Sequence, residues 1–164
     1  MEYSVRNAKA ADLPRIEEIY AYARDFMEKT GNPNQWGKTN PPHAWLVDDI
    51  EKELLYVITE GESIHGVFYF YIGEDPTYGF IEDGAWKHEN RYGTIHRIAS
   101  DGSGGILKTA VLFCADMISN IRIDTHHDNV VMQKAVAKLG FERSGIIRLA
   151  NGDPRIAYEL HIQK

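Results

Sequence analysis

The 164-residue chain is short of cysteine, since Cys114 is the only one. A single thiol cannot form an intrachain disulfide, and it cannot build a cysteine-rich metal cage. No apolar run approaches membrane-spanning length, and the first residues contain no apolar signal core. We therefore expect a cytoplasmic protein without a membrane partner.

The chain also lacks clustered positive charge. Its 18 Lys and Arg residues are scattered along the sequence and are outnumbered by 24 Asp and Glu residues, which gives a net charge of -6. This distribution argues against nucleic acid as the main partner, and it weakly favours cationic acceptors. The G-x-x-x-x-G-K-[ST] pattern is absent, as is a G-x-G-x-x-G pattern followed by an acidic partner, which argues against an ATP- or NAD-binding α/β domain.

The hydrophobic periodicity predicts alternating strands and helices. We expect strands over residues 3–7, 55–60, 64–72, 94–99, 121–125, 141–147 and 155–161, with a further short strand near 78–82. We expect helices over residues 13–27, 44–52, 106–118 and 129–139. The length and the absence of a linker indicate one domain over residues 1–164.

Two features of this order predict the architecture. Residues 67–72 are apolar or aromatic on both alternating faces, so their strand should be covered on both sides. The strand-helix-strand order over residues 94–125 indicates a parallel crossover. We therefore predict an α/β (α+β) fold with a central, mixed, twisted sheet of six to seven strands and helices on both faces.

A glycine-rich turn, residues 100–105, connects a predicted strand to a predicted helix. Such a turn directs several backbone N–H groups to one point, where the helix dipole also favours negative charge. It predicts a diphosphate site, although turns of this kind often serve only to reverse the chain.

The residues after this turn carry further motifs. They are Asp124-Thr125-His126, Asn129, Met132-Gln133, Lys138-Leu139-Gly140-Phe141, Gly145 and Arg155-Ile156-Ala157-Tyr158. With Asp12-Leu13-Pro14 and Gln35-Trp36 near the start, this order resembles a bacterial branch of the GNAT N-acetyltransferase superfamily, whose members act on small molecules or proteins. The resemblance implies acetyl-CoA as cosubstrate, direct transfer of its acetyl group to a primary amine in a ternary complex, and often a homodimer.

The resemblance also implies a splay between the parallel strands over residues 94–99 and 121–125, with the pantetheine arm in the gap. The arm would bond to the backbone of β-strand residues in the manner of an added strand. The residues implied to bind the cofactor are Ile98, Ala99, Ser100, Gly102, Ser103, Gly104, Gly105, Ile106, Leu107, Asn129 and Lys134.

The chain departs from the superfamily pattern in two places. Gly102 and Leu107 stand at the two ends of the diphosphate turn, where the pattern has Gln or Arg and then Gly or Ala. Val136 stands where the pattern often has a Tyr that protonates the departing thiolate. These departures suit an alternative function, a non-catalytic acyl-CoA-binding or sensing module of the same fold.

The catalytic candidates are two histidines, because imidazole titrates near neutral pH. His96 lies on the strand beside the expected cleft, and His126 lies where the neighbouring strand ends. Both have structural alternatives, since His96 would also fit against the sheet and His126 would also fit in a helix cap. A backbone N–H near Ile98 is the expected donor to the thioester carbonyl.

Four residues are candidates for binding the acceptor. Gln35 and Trp36 lie in an irregular loop, where binding residues often gather, and Glu82 and Asp83 are acidic loop residues suited to an amine. We expect no metal site. Adjacent histidines on an extended segment point to opposite sides, so His126 and His127 should not share an ion with His96.

Overall fold

The structure is a computed structural model that describes residues 2–163. Its seven strands form one sheet in the order β1-β2-β3-β4-β5-β7-β6, in which β4 and β5 are the only parallel neighbours of the described chain. The strands are β1 Ser4–Asn7, β2 Leu55–Glu60, β3 Ser63–Ile72, β4 Gly93–Ser100, β5 Asn120–Thr125, β6 Glu142–Arg148 and β7 Pro154–His161. The helices are α1 Leu13–Lys29, α2 His43–Glu51, α3 Ile106–Ala115 and α4 Val130–Lys138. The predicted fold class is confirmed.

Helices cover both faces of the sheet because successive side chains of the central strands point to opposite sides. On one face, Phe68 of β3 packs in a core with Ala110 of α3 and Val136 of α4. On the other face, Val67 packs with the buried residues of α1 and α2, including Ile16 and Leu46. The strand that the sequence predicts to be covered on both sides is therefore β3.

The segment between β3 and β4 differs from its prediction. No strand forms over residues 78–82; Pro76–Tyr78 is a short 3-10 helix, and Glu82 makes only an isolated bridge to Ile146. The side chain of Asp75 starts the 3-10 turn by accepting hydrogen bonds from the backbone N–H and the hydroxyl of Thr77. The α3 helix also ends at Ala115, earlier than predicted.

Aromatic residues anchor this long segment to the sheet. Tyr78 and Tyr92 are buried in a small third cluster with Ile147 and Ala157. The guanidinium of Arg122 lies 3.8 Å from the ring centroid of Trp86 and 3.7 Å from that of Tyr92. No helix among residues 2–163 is both long enough and apolar enough to span a bilayer.

Candidate active site

Strands β4 and β5 separate soon after they begin to pair. Their register joins only Gly93 with Ile121 and Thr94 with Arg122, although β4 continues to Ser100 and β5 to Thr125. The pairing of β3 with β4 is interrupted by a bulge, at which Arg97 has a φ of 51°. Because a bulge bends and twists its strand, it accounts for the separation. The edge of β4 beyond Thr94 is left without a strand partner in the described chain.

The bulge is held by groups from both helices on that face of the sheet. The hydroxyl of Tyr20 in α1 donates to the backbone oxygen of Arg97 at 2.7 Å. The guanidinium of Arg97 pairs with Asp49 of α2 and lies 4.9 Å from the ring centroid of Tyr69. The unusual backbone conformation is thus fixed by buried contacts on three other elements.

A cavity of about 340 Å³, the cofactor cavity, lies between α1, the open edge of β4 and α4. The predicted cofactor residues that line it are Ile98, Ala99, Ser100, Gly102, Ile106, Leu107 and Asn129. Ser103, Gly104 and Gly105 complete the turn beside it, whereas Lys134 is exposed on α4 and outside the lining. Most of the remaining lining is apolar and comes from α1 and α4, including Phe26 and Val131.

The first turn of α3 begins at Ile106, as predicted, beside this cavity. Gly105 precedes it with a φ of 81°, and no side chain caps the helix. The leading N–H groups therefore have no intrahelical or side-chain acceptor. Asp101 shapes the turn by accepting from the backbone N–H of Ser103 at 3.1 Å, while its other oxygen bonds to Arg15 at 2.8 Å. This arrangement suits an anion at the head of α3.

A second cavity of about 750 Å³, the acceptor cavity, lies on the α1 and α2 side of the same splay. Its walls come from the loop 34–41, from Asp75 and Thr77, from residues 95–98 of β4 and 123–125 of β5, and from the β6–β7 connection with Arg155. The two cavities share Met27, Ile98, Asn129 and Met132 in their linings. They therefore meet at the open edge of β4.

His96 lies in the wall of the acceptor cavity between two carboxylates. Its Nε2 is 2.7 Å from Oδ2 of Asp75, and its Nδ1 is 3.9 Å from Oδ2 of Asp124. Burial raises the pKa of Asp75, but hydrogen bonds from His96 and Thr77 outweigh this effect and lower the pKa to about 2. Asp75 is thus ionised at neutral pH and accepts a hydrogen bond from the N–H at Nε2 of His96. That tautomer leaves the lone pair on Nδ1, facing Asp124.

Asp124 is itself held by Tyr78. The buried hydroxyl of Tyr78 donates to Oδ2 of Asp124 at 2.6 Å. Burial, and next the charge of Asp124, raise the pKa of Tyr78 well above its ordinary value. Tyr78 therefore stays protonated and acts as a fixed hydrogen-bond donor to this carboxylate.

His126 occupies a different environment and lines neither cavity. It is buried, and its Nδ1 accepts a hydrogen bond from the backbone N–H of Asp128 at 3.0 Å, just before α4. Burial lowers the pKa of His126, and the charges of Arg155 and His127 lower it further. These contacts match the helix-cap alternative for His126.

The expectation that His126 and His127 point to opposite sides is wrong. Their rings stack with centroids 4.3 Å apart, because β5 ends at Thr125 and the chain turns at His127 and Asp128. Ligand atoms of His126, His127 and Asp128 lie within 4.8 Å of one another, and His96 is not part of this group. The absence of a metal site stays a prediction.

Gln35 and Trp36 both line the acceptor cavity. The side-chain oxygen of Gln35 accepts from the amide groups of Asn32 and Asn129, each at 2.9 Å. Asn129 in turn caps α4 by accepting from the N–H of Met132 at 3.0 Å. The ring of Trp36 packs edge-on against Tyr20 with centroids 5.6 Å apart. Gln35 therefore joins the loop to the start of α4.

Glu82 and Asp83 lie away from both cavities. Glu82 bonds to the guanidinium of Arg148 at 2.8 Å, and Asp83 bonds to that of Arg143 at 3.0 Å. Both arginines belong to β6, against which this part of the loop folds. The structure does not bring these two acids to His96.

Sequence reasoning missed three residues of the acceptor cavity: Asp75, Asp124 and Arg155. Asp124 and Arg155 belong to the quoted motifs, but nothing in the pattern gave them a chemical role. Asp75 lies in the irregular loop, 21 residues before its partner His96. Val136, at the position of the usual Tyr, is fully buried in the core, and α4 presents Val131, Met132 and Ala135 to the cofactor cavity instead.

No protein-family model and no curated protein matches the chain. Solved structures do match it. An acetyltransferase of the GNAT family from Streptococcus agalactiae superposes with a TM-score of 0.89 at 29% identity, covering 99% of this chain and 96% of that one. A second GNAT-family acetyltransferase, from Listeria monocytogenes, has a TM-score of 0.71 at 19% identity, with 99% and 96% covered.

A further match is yncA from Salmonella typhimurium, which was solved with its cofactor acetyl-CoA. It has a TM-score of 0.62 at 14% identity, over 99% of this chain and 95% of that one. At such identities the Listeria and Salmonella matches bear on the fold alone. The Streptococcus match extends over nearly the whole of both chains at a higher identity.

Proposed function

The chain belongs to the GNAT superfamily of acetyltransferases, and from that premise we propose that it transfers an acetyl group from acetyl-CoA to a primary amine. The observation that carries this proposal is the meeting of two cavities at the splay between β4 and β5. One cavity has the uncapped head of α3, and the other has His96 between two carboxylates. The acceptor belongs to either a small molecule or a protein.

The cofactor cavity fits acetyl-CoA in two respects. The head of α3 offers N–H groups to the diphosphate, next to Gly102 and Leu107. The unpaired edge of β4 offers backbone groups of Ile98, Ala99 and Ser100 to the amides of the pantetheine arm. Leu107 lies in the lining without closing the cavity. Asn129, at the junction, would contact the arm where the two cavities meet.

In the proposed mechanism, His96 is the base. The acceptor amine gives a proton to Nδ1 of His96, while Asp75 holds Nε2 and stabilises the imidazolium. The amine nitrogen forms a bond to the acetyl carbon, the C–S bond breaks, and its electron pair goes to sulfur. A backbone N–H near Ile98 would stabilise the oxyanion.

The thiolate leaves and takes its proton from solvent in this scheme. A thiol like that of cysteine has a pKa of about 8.5, so the leaving group needs little assistance. Val136, whose aliphatic side chain cannot donate a proton, is therefore compatible with transfer. The absence of an acid at this position is also compatible with the alternative function, an acyl-CoA-binding or sensing module without turnover.

The experiment that tests the proposal measures release of CoA thiol over a panel of amines, with purified protein and acetyl-CoA. We expect release well above background for at least one class of amine. Tight CoA binding with background release for every amine would instead support the sensing module.

The proposal also includes one N-acyltransferase domain over residues 1–164, a homodimer and a cytoplasmic location.

A further inference from the structure

The acceptor cavity contains a buried cation that forms no direct salt bridge within residues 2–163. Arg155, at the start of β7, is 6% exposed and lines the cavity. Its Nη1 donates to the carbonyl oxygen of Pro154 at 2.9 Å, and its Nη2 lies 3.5 Å from the carbonyl oxygen of Gln35. It forms no salt bridge with any carboxylate of residues 2–163.

Two other sheet arginines of low exposure have a carboxylate or aromatic rings in direct contact. Arg97 pairs with Asp49, and Arg122 lies between two aromatic rings and donates to the carbonyl oxygen of His88. Burial of a cation without compensation is costly, because the charge loses its hydration. Burial lowers the pKa of Arg155, although the charges of Asp124 and Asp153 nearby partly offset this effect. An anionic group in the cavity would supply the direct partner that neither carboxylate provides.

The sheet register places this cation on the same face as the proposed base. Thr94 pairs with Arg122 and Asp124 pairs with Ala157, so His96, Asp124 and Arg155 point to one side of three consecutive strands. Asp124 and Arg155 are diagonal neighbours across β5 and β7, a relation that corresponds to about 7–8 Å. A small molecule can therefore contact both.

The charged residues of the cavity favour a ligand that carries one negative charge close to an amine. Asp75, Asp124 and Asp153 line the same cavity and would repel a doubly charged phosphate. A polyamine could pair with these carboxylates, but it would offer no anionic group to Arg155. The planar guanidinium matches a carboxylate, which it can bind through two parallel hydrogen bonds.

We propose that the acceptor is a free amino acid, with its amine between His96 and Asp124 and its carboxylate on Arg155. This inference rests on the proposed function for the transfer step, but the binding geometry is independent of turnover. In the transfer, the amine nitrogen loses one proton to His96 and gains the acetyl carbon, while sulfur receives the electrons of the C–S bond and a proton from solvent. The carboxylate stays unchanged.

The test compares free L-amino acids with their matching amides, which keep the amine and lose the negative charge. Binding to CoA-saturated protein is measured by calorimetry, and acetylation is measured separately. We expect at least one amino acid to bind about 10- to 100-fold more tightly than its amide. Equal affinity of every acid and amide pair, or preference for a polyamine, overturns the inference even if acetylation occurs.

The Arg155→Met variant removes the charge and keeps an apolar chain of similar length. We expect its affinity for the amino acid to fall to that of the amide, while CoA affinity stays as in the unaltered protein and reports a folded chain. A retained preference for the acid would overturn the role of Arg155. A preference for the acid without acetylation would support the inference and reject the proposed transfer.

Discussion

The two cavities that meet at the splay differ in the groups they offer to a ligand. The cofactor cavity relies on backbone groups, at the edge of β4 and the head of α3, and its side chains are mostly apolar. The acceptor cavity relies on charged side chains from separate elements, namely Asp75, His96, Asp124 and Arg155. Backbone recognition tolerates changes of sequence, whereas side-chain recognition does not. Under the proposed function, this difference would let one fold keep the same cosubstrate while its acceptors vary.

The largest expected effect tests the side-chain half of this comparison. His96→Gln should lower kcat about 10²- to 10⁴-fold, because the amine loses its base, while the Kd for CoA stays unchanged. Steady-state kinetics and calorimetry measure the two quantities. The matched control is His43→Gln, since His43 is exposed on α2 and lines neither cavity, with its Nδ1 2.8 Å from Oε1 of Glu17. Unchanged kcat in His96→Gln would mean that the base lies elsewhere.

The backbone half should be insensitive to most substitutions but sensitive to an added negative charge. Gly105→Glu places a carboxylate at the head of α3 and should weaken CoA binding about 100-fold by repulsion from the diphosphate. Gly105→Gln is the control, since both variants carry the same strain at a φ of 81° and differ only in charge. Equal CoA affinity of the two variants would contradict the placement of the diphosphate.

A smaller effect concerns stability. The pKa of Asp75 is lowered from about 3.9 in an unfolded chain to about 2. A lowered carboxyl pKa stabilises the fold above the unfolded value, and this contribution disappears as pH falls through the folded value. Asp75→Asn should therefore cost about 2 kcal/mol at pH 7, with the gap to the unaltered protein narrowing between about pH 4 and pH 2. Urea unfolding across this range measures it, and a gap independent of pH would contradict the role of the charge.

The smallest effect is expected at the acidic pair on the loop. The double change Glu82→Gln with Asp83→Asn should leave kcat/KM unchanged and alter stability by about 1 kcal/mol or less, because both ion pairs are partly exposed. Kinetics and urea unfolding would check this. A tenfold loss of kcat/KM would indicate that the acceptor binds near Glu82 and Asp83 and not in the acceptor cavity.

The sequence predicts the backbone half of the site better than the side-chain half. The order of β4, α3 and β5, and the start of α3 at Ile106, follow from local periodicity and the glycine-rich turn. His96 bonds to Asp75, which lies 21 residues away along the chain. Asp124 accepts a hydrogen bond from Tyr78, which lies 46 residues away. Local patterns carry no record of such pairs. The lack of a direct salt bridge to Arg155 can be recognised only from the three-dimensional positions of the carboxylates.

The side-chain oxygen of Gln35 receives hydrogen bonds from Asn32 in the loop and from Asn129 at the start of α4. One atom thus serves as a common anchor for a wall of each cavity. Under the proposed function, we expect a displacement of the loop by the acceptor to strain the bond to Asn129, which lines both cavities. Binding in one cavity would then alter the shape of the other through a single amide.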